Sequence, residues 1–186
     1  MTGPLSTMAI IEGDRGKESA MIIRIAGVLL ILGIGPALAD QAAVAPPAGA
    51  PLLVETQADG VQVYACEAKD NGPEWVFKAP EANLFDAKGR QIGIHFSGPG
   101  WKLADGSAVT GAVSAKADAP VPGAIPWLLL EVKTHEGSGS LAAATTIRRF
   151  DTKGGAAPTT GCDASHLGEQ ARMRYSATYQ FFGVAK

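Results

Sequence analysis

Short apolar runs that alternate residue by residue, each cut by a Gly, Pro or Asp turn within a few positions, govern what this chain can fold into. In Val61-Gln62-Val63-Tyr64-Ala65-Cys66 the residues Val61, Val63 and Ala65 share a face, which is the period of a strand. Trp75-Val76-Phe77-Lys78 is a second short run, ended by Pro80. A hairpin follows: Leu84-Phe85, the turn Asp86-Ala87-Lys88-Gly89, then Gln91 to Phe96 with Ile92, Ile94 and Phe96 alternating. Gly89 is placed to take the positive φ of such a turn. Trp101-Lys102-Leu103, the turn Ala104-Asp105-Gly106-Ser107 and the return from Ala108 to Ser114 read as the next hairpin. Three prolines between Ala119 and Pro126 keep that stretch out of a paired strand.

Trp127-Leu128-Leu129-Leu130 is apolar on both faces and reads as the most buried strand. Thr145 to Phe150 and a last strand bearing Tyr175, Ala177, Tyr179 and Phe181 complete the set. No stretch of helix length carries a 3.6-residue apolar period; Ala164 to Met173 offers a turn or two, weakened by Gly168. The expectation is an all-β single domain. It would be a sandwich or barrel of about eight or nine short antiparallel strands with long Gly/Pro-rich loops.

Upstream, Met21 to Ala39 has the layout of an export signal. Arg24 precedes an apolar run from Ile25 to Leu32, Gly33, Gly35 and Pro36 break it, and Ala37 and Ala39 are the small residues before cleavage at Asp40. The alternative is a retained anchor, but the apolar stretch, with Arg24 and Pro36 inside it, falls short of the roughly 20 residues that span a bilayer. Residues 1–20 carry Glu12, Asp14 and Glu18 where a signal should be basic, so they read as an upstream extension and Met21 as the start. Residues 40–51 read as a Pro/Ala-rich spacer without fixed structure, and residues 52–186 as the all-β domain. The mature protein is expected in the periplasm or outside the cell, with no membrane span.

Sixteen basic residues stand against 18 acidic ones, a net charge of −2, which gives no basic face for nucleic acid. Cys66 and Cys162 are the only cysteines, and in an oxidising compartment they read first as one disulfide. Two buried thiols or a metal pair are the alternatives; neither cysteine has the neighbouring cysteine of a structural zinc site, so no metal is expected. Gly137-Ser138-Gly139-Ser140-Leu141-Ala142 fits the dinucleotide pattern G-x-G-x-x-A. Thr145-Thr146-Ile147 turns β-branched where its helix should run, and no second βαβ unit exists, so no cofactor is expected.

No G-x-S-x-G nucleophile elbow is present. His135 and His166 read as solvated turn and loop residues. His95 lies in the dense segment Gly93 to Trp101, on the face opposite Ile92, Ile94 and Phe96, and Gly98-Pro99-Gly100 can fold the chain back so that His95, Trp101 and Asp105 converge. Such a trio suits a sugar, a small acid or general-base chemistry. The alternative is a histidine that satisfies a loop carbonyl while Trp101 plugs one end of the core. Glu81, Asp86, Asp105 and Glu131 raise a glycosidase-like carboxylate pair. Asp86 and Asp105 are better explained as turn residues. Glu131 continues the face of Trp127 and Leu129, and Arg148 or Arg149 on the next strand is its expected structural ion-pair partner.

Several blocks, in order, carry a family resemblance: Val61 to Cys66, Trp75 with Ala79-Pro80-Glu81-Ala82, His95 with Gly98-Pro99-Gly100-Trp101, and Asp105-Gly106-Ser107. Ile125-Pro126-Trp127-Leu128-Leu129, Gly154-Gly155-Ala156-Ala157-Pro158, Cys162-Asp163 and Tyr175 to Phe182 extend it. Together they resemble the uncharacterised family DUF3455. The resemblance implies a single exported domain and brings no accepted activity. The family's usual tripeptide before that Trp is Gly-Pro-Thr; Gly100 replaces the Thr and is expected to loosen the loop. The leading expectation is an exported module that binds a small molecule or glycan, or a component of the cell envelope. A cofactor-free hydrolase or lyase working from His95, Trp101 and Asp105 is the first alternative, and a purely structural surface protein the second.

Overall fold

A computed structural model describes residues 41–185. The expected upstream extension and export signal, with Ala37 and Ala39, lie outside the described residues. Eight strands follow one another: β1 (Leu52–Glu67), β2 (Glu74–Phe85), β3 (Gln91–Phe96), β4 (Gly100–Leu103), β5 (Ala108–Ala117), β6 (Trp127–Glu136), β7 (Thr146–Gly154) and β8 (Gln170–Phe182). Each pairs antiparallel with the next, and β8 returns to β1, so one sheet closes into a barrel with strands in sequence order. Between a sandwich and a barrel, the chain forms a barrel.

The hairpin turns follow the local chemistry. At β2–β3 the Asp86 carboxylate accepts from the backbone N–H groups of Lys88 and Arg90 and from the Arg90 side chain. At β4–β5, Asp105 Oδ1 accepts from the Ser107 N–H and hydroxyl, while Oδ2 accepts from the N–H of Ser140 in the β6–β7 loop. Gly139, at φ 140°, brings that loop so close to Asp105 that a side chain there would strike the carboxylate. The loop then drops Leu141 and Ala144, both fully buried, into the barrel end beneath it. One end of the barrel is thus stoppered by chain.

The wall is not uniform. β3 and β4 are six and four residues long, between much longer neighbours. β2 pairs with β3 only from Ala82 to Phe85, so from Glu74 to Glu81 its one neighbour is β1. β5 pairs with β4 only through Ala108 to Thr110, with Gly111 N–H donating to the Pro99 carbonyl beyond it. Past that point β5 has only β6. The short hairpin therefore leaves a notch in the wall, with β2 as one rim, β5 as the other and the Gly98-Pro99 turn at its base.

Several expectations are corrected. Pro80 does not end β2; it sits where the strand has no neighbour on the β3 side, a position proline tolerates. In β1 the inward set includes Gln62 and Tyr64, both buried against the interior, rather than the Val61 and Ala65 face alone. In β3 the inward residue is His95, and Ile94 and Phe96 stand outside. Trp127 to Leu129 are only partly buried and Leu130 alone of that run is fully buried; the densest burial runs along β8 from Tyr175 to Phe182. Ala164 to Met173 forms turns and the start of β8, with no helix. The Pro/Ala stretch is ordered where described, closed by turns at Val44, Ala45 and Ala50, with Val44 fully buried.

Cys66 and Cys162 form a disulfide, their Cα atoms 5.3 Å apart, which ties the end of β1 to the β7–β8 loop. Among the described residues no helix is long and apolar enough to cross a membrane, and no cluster of His, Cys, Asp or Glu has a metal-binding arrangement.

Candidate functional site

Behind the notch lies a cavity of about 500 Å³. That is within the range of small-molecule sites, and an eight-stranded barrel is just wide enough to hold one small ligand. Phe77, Lys78 and Pro80 of β2 line it from one rim and Val113 of β5 from the other; His95, Trp101 and Tyr179 form its inner wall. Phe77 and Val113 are 49% and 54% exposed, so the mouth carries apolar side chains in water.

His95 and Trp101 are paired across β3 and β4, and their rings stack 4.4 Å apart and 8° from parallel. Tyr179 packs edge-on against both, its centroid 5.0 Å from His95 and 5.4 Å from Trp101. The imidazole is 3% exposed, and its Nδ1 lies 2.8 Å from the Gly100 carbonyl oxygen. A carbonyl only accepts, so Nδ1 carries the proton and Nε2 keeps its lone pair. Burial pushes the His95 pKa from 6.5 down to about 3; the bond to Gly100 opposes this and the nearby Arg149 charge adds to it. His95 is neutral at any physiological pH.

Gly100 does not loosen the turn as expected from the sequence. Its carbonyl holds His95, it pairs with Phe96 and with Thr110, and a side chain there would meet the Phe96 ring.

Arg149 is placed by register. It lies opposite Leu128 on β6 and Tyr179 on β8, and all three line the cavity. Its Nε and Nη2 donate to the Pro126 carbonyl at 3.1 and 2.8 Å, which fixes the guanidinium beside the Tyr179 hydroxyl, with which it also interacts. Among the described residues no carboxylate lies within ion-pair distance of it, and none lines the cavity. Lys78, at the mouth, is already paired with Glu67.

Five more polar groups complete the interior. The Tyr64 hydroxyl donates to the Gly155 carbonyl at 2.7 Å. Gln62 Nε2, Trp101 Nε1 and the Tyr179 hydroxyl are buried and make no well-formed hydrogen bond, although the Tyr179 hydroxyl interacts with Tyr175 and Arg149 and the Gln62 side chain with Tyr175; all three residues line the cavity. The Tyr175 hydroxyl lies beside them and interacts with Tyr179 and Gln62. Burial raises the pKa of both tyrosines, strongly for Tyr175, while Arg149 pulls each back in part. A buried donor without an acceptor costs about 1–3 kcal/mol, so a cluster of them calls for an explanation.

Of the expected trio the fold brings His95 and Trp101 together. It places Asp105 at the other end of β4, exposed and engaged by Ser107 and Ser140 at the stoppered end of the barrel. The Ser107 hydroxyl first, then the Ser140 N–H, hold its carboxyl far below the usual carboxylate range. Glu131 does not meet either arginine: its side chain is 63% exposed and pairs with Lys133 at 2.6 Å. Leu128 and Leu130 take the inward positions of β6, which turns Glu131 out. Arg148 points outward as well, 4.4 Å over the Phe150 ring and 5.9 Å from that of Trp127. Sequence reasoning missed Gln62, Tyr64, Arg149 and Tyr179 as cavity residues. Alternation alone did not mark them, since the chain neighbours of each are themselves buried or half-buried.

A closed up-and-down barrel with an opening in its wall and a cavity of aromatic rings, apolar side chains and loosely held donors defines the class of fold and site. Within that class the chain belongs to the family DUF3455, described as a protein of unknown function, whose model matches residues 47–183. No curated protein and no solved structure matches the chain.

Proposed function

We propose that this chain is an exported binding module that takes a small molecule into the barrel through the notch between β2 and β5. One observation carries the reading: Trp101 Nε1 is buried without an acceptor, and Gln62 and Tyr179 are only loosely hydrogen-bonded within the protein, around a cavity that reaches the surface. Groups of this kind are satisfied by a bound molecule's acceptors. The apolar mouth at Phe77 and Val113 suits entry of a molecule with a greasy body. Catalysis is the weaker reading, because a histidine held near pKa 3 is a poor base at neutral pH and Asp105 stands at the far end of the strand. Export rests on the apolar run Ile25 to Leu32 with Ala37 and Ala39, and the disulfide fits an oxidising compartment.

Binding is tested with N-phenyl-1-naphthylamine, a neutral dye that brightens in apolar sites. The purified protein should bind it saturably, and Val113→Trp at the exposed rim should weaken or slow binding. A protein that gives no brightening and no thermal shift with apolar ligands is not a carrier of this kind. N-terminal sequencing of the exported product should begin at Asp40; a product retaining Met21 refutes the export reading.

A further inference from the structure

We infer that the ligand is an apolar monocarboxylate, its carboxylate seated on Arg149 and its body extending along the aromatic and aliphatic wall toward the notch. This rests on the binding reading above and adds the chemistry of the head group. The polar groups that face the cavity include four donors, the Arg149 guanidinium, Gln62 Nε2, Trp101 Nε1 and the Tyr179 hydroxyl. Apart from the Arg149 bonds to Pro126, they are held at most loosely by Tyr175 and by one another, and by no acid among the described residues. A carboxylate is acceptor only, and its two oxygens match a guanidinium edge.

Charge decides between head groups. Lys78 is paired with Glu67, so Arg149 is the cation of the interior not matched by an acid among the described residues. One negative charge would be compensated there; the second charge of a phosphate monoester would be left unpaired in a poorly solvated site. A neutral head leaves the half-buried guanidinium without a counter-charge, and a cationic one is repelled.

The rest of the cavity matches the body. Leu128, Leu130, Ile125 and the Trp101 ring are apolar and continuous with Phe77 and Val113 at the mouth. His95 contributes one acceptor, Nε2, which remains a lone pair because the ring stays neutral. A chain or ring of hydrocarbon bearing a single acid is the molecule these surfaces describe.

The test is displacement of N-phenyl-1-naphthylamine by decanoate, decanol and decyl phosphate at neutral pH. Decanoate should displace the dye at a concentration about tenfold or more below decanol, the margin of one charge-assisted hydrogen bond, and decyl phosphate should fall behind decanoate. Arg149→Met should bring decanoate to the level of decanol, and Arg149→Lys should keep part of the gap. If Arg149→Met does not fold, the ranking on the unaltered protein still decides. Decanol equal to decanoate, or decyl phosphate ahead of it, overturns the monocarboxylate while the dye signal keeps the binding reading intact. Absence of any dye or decyl-chain binding overturns both.

Discussion

His95 carries its proton on Nδ1, donated to Gly100, and is nearly fully buried against the Trp101 and Tyr179 rings. Its pKa is 6.5 in an unfolded chain and about 3 in the barrel. The folded-state value is depressed, so the unfolded chain binds the extra proton between those limits. The neutral ring's contribution to stability is therefore complete above pH 6.5 and is lost as the pH falls toward 3. The slope is at most about 1.4 kcal/mol per pH unit for one group. His166 works in the opposite sense, since Asp163 raises its pKa and its contribution fades as the pH rises. The measurement is thus a difference: urea unfolding of the unaltered chain and of His95→Phe between pH 7 and 4. The unaltered chain should lose stability more steeply. Equal slopes would show that His95 takes up its proton in the folded state.

At the scale of elements, the β6–β7 loop does two things with few residues. Asp105 and Ser107 hold it by the N–H groups of Ser140 and Leu141, and Leu141 fills the barrel end. Leu141→Ala should cost about 2–5 kcal/mol, the usual range for a large core truncation, and a loss below 1 kcal/mol would mean the loop collapses into the gap. The disulfide acts on the unfolded chain as much as on the fold. Closing a loop of 96 residues' separation stabilises by up to roughly 4–5 kcal/mol in the chain-entropy view. Intact mass should rise by two hydrogens on reduction, and the reduced protein should unfold at lower urea. Native protein that is alkylated at both cysteines without reductant would contradict the bond.

The same elements show how far sequence reading reaches. The turns were legible, because Asp86, Gly89 and Asp105-Gly106 state their geometry in residue type alone. The faces were not. Alternation fixes that His95 opposes Ile94 and Phe96, but the usual rule puts the apolar set inside, and here a polar interior reverses it. Glu131 was misplaced for the same reason, one register step turning it from the cavity to the solvent beside Lys133.

For the whole molecule, a run of short antiparallel strands was readable, and closure was not. Nothing local in β1 or β8 says that Leu52 to Ala65 will meet Gln170 to Phe182 across the ring. Nor does the short β3–β4 hairpin announce an opening, since its meaning depends on the length of strands two steps away.

The notch has a second consequence. Its rims are strand edges with main-chain donors and acceptors facing outward, the kind of surface on which another copy's strand can add. Pro80 removes one donor from the β2 rim, and Lys78 puts a charge beside it, while Lys116 does so along β5. Replacing Pro80 and Lys78 together by valine should leave the fold in place and make the protein self-associate, visible as concentration-dependent light scattering. A strictly unchanged particle size would mean the rims are guarded by something else. The doorway a ligand needs is held open against the protein's own kind.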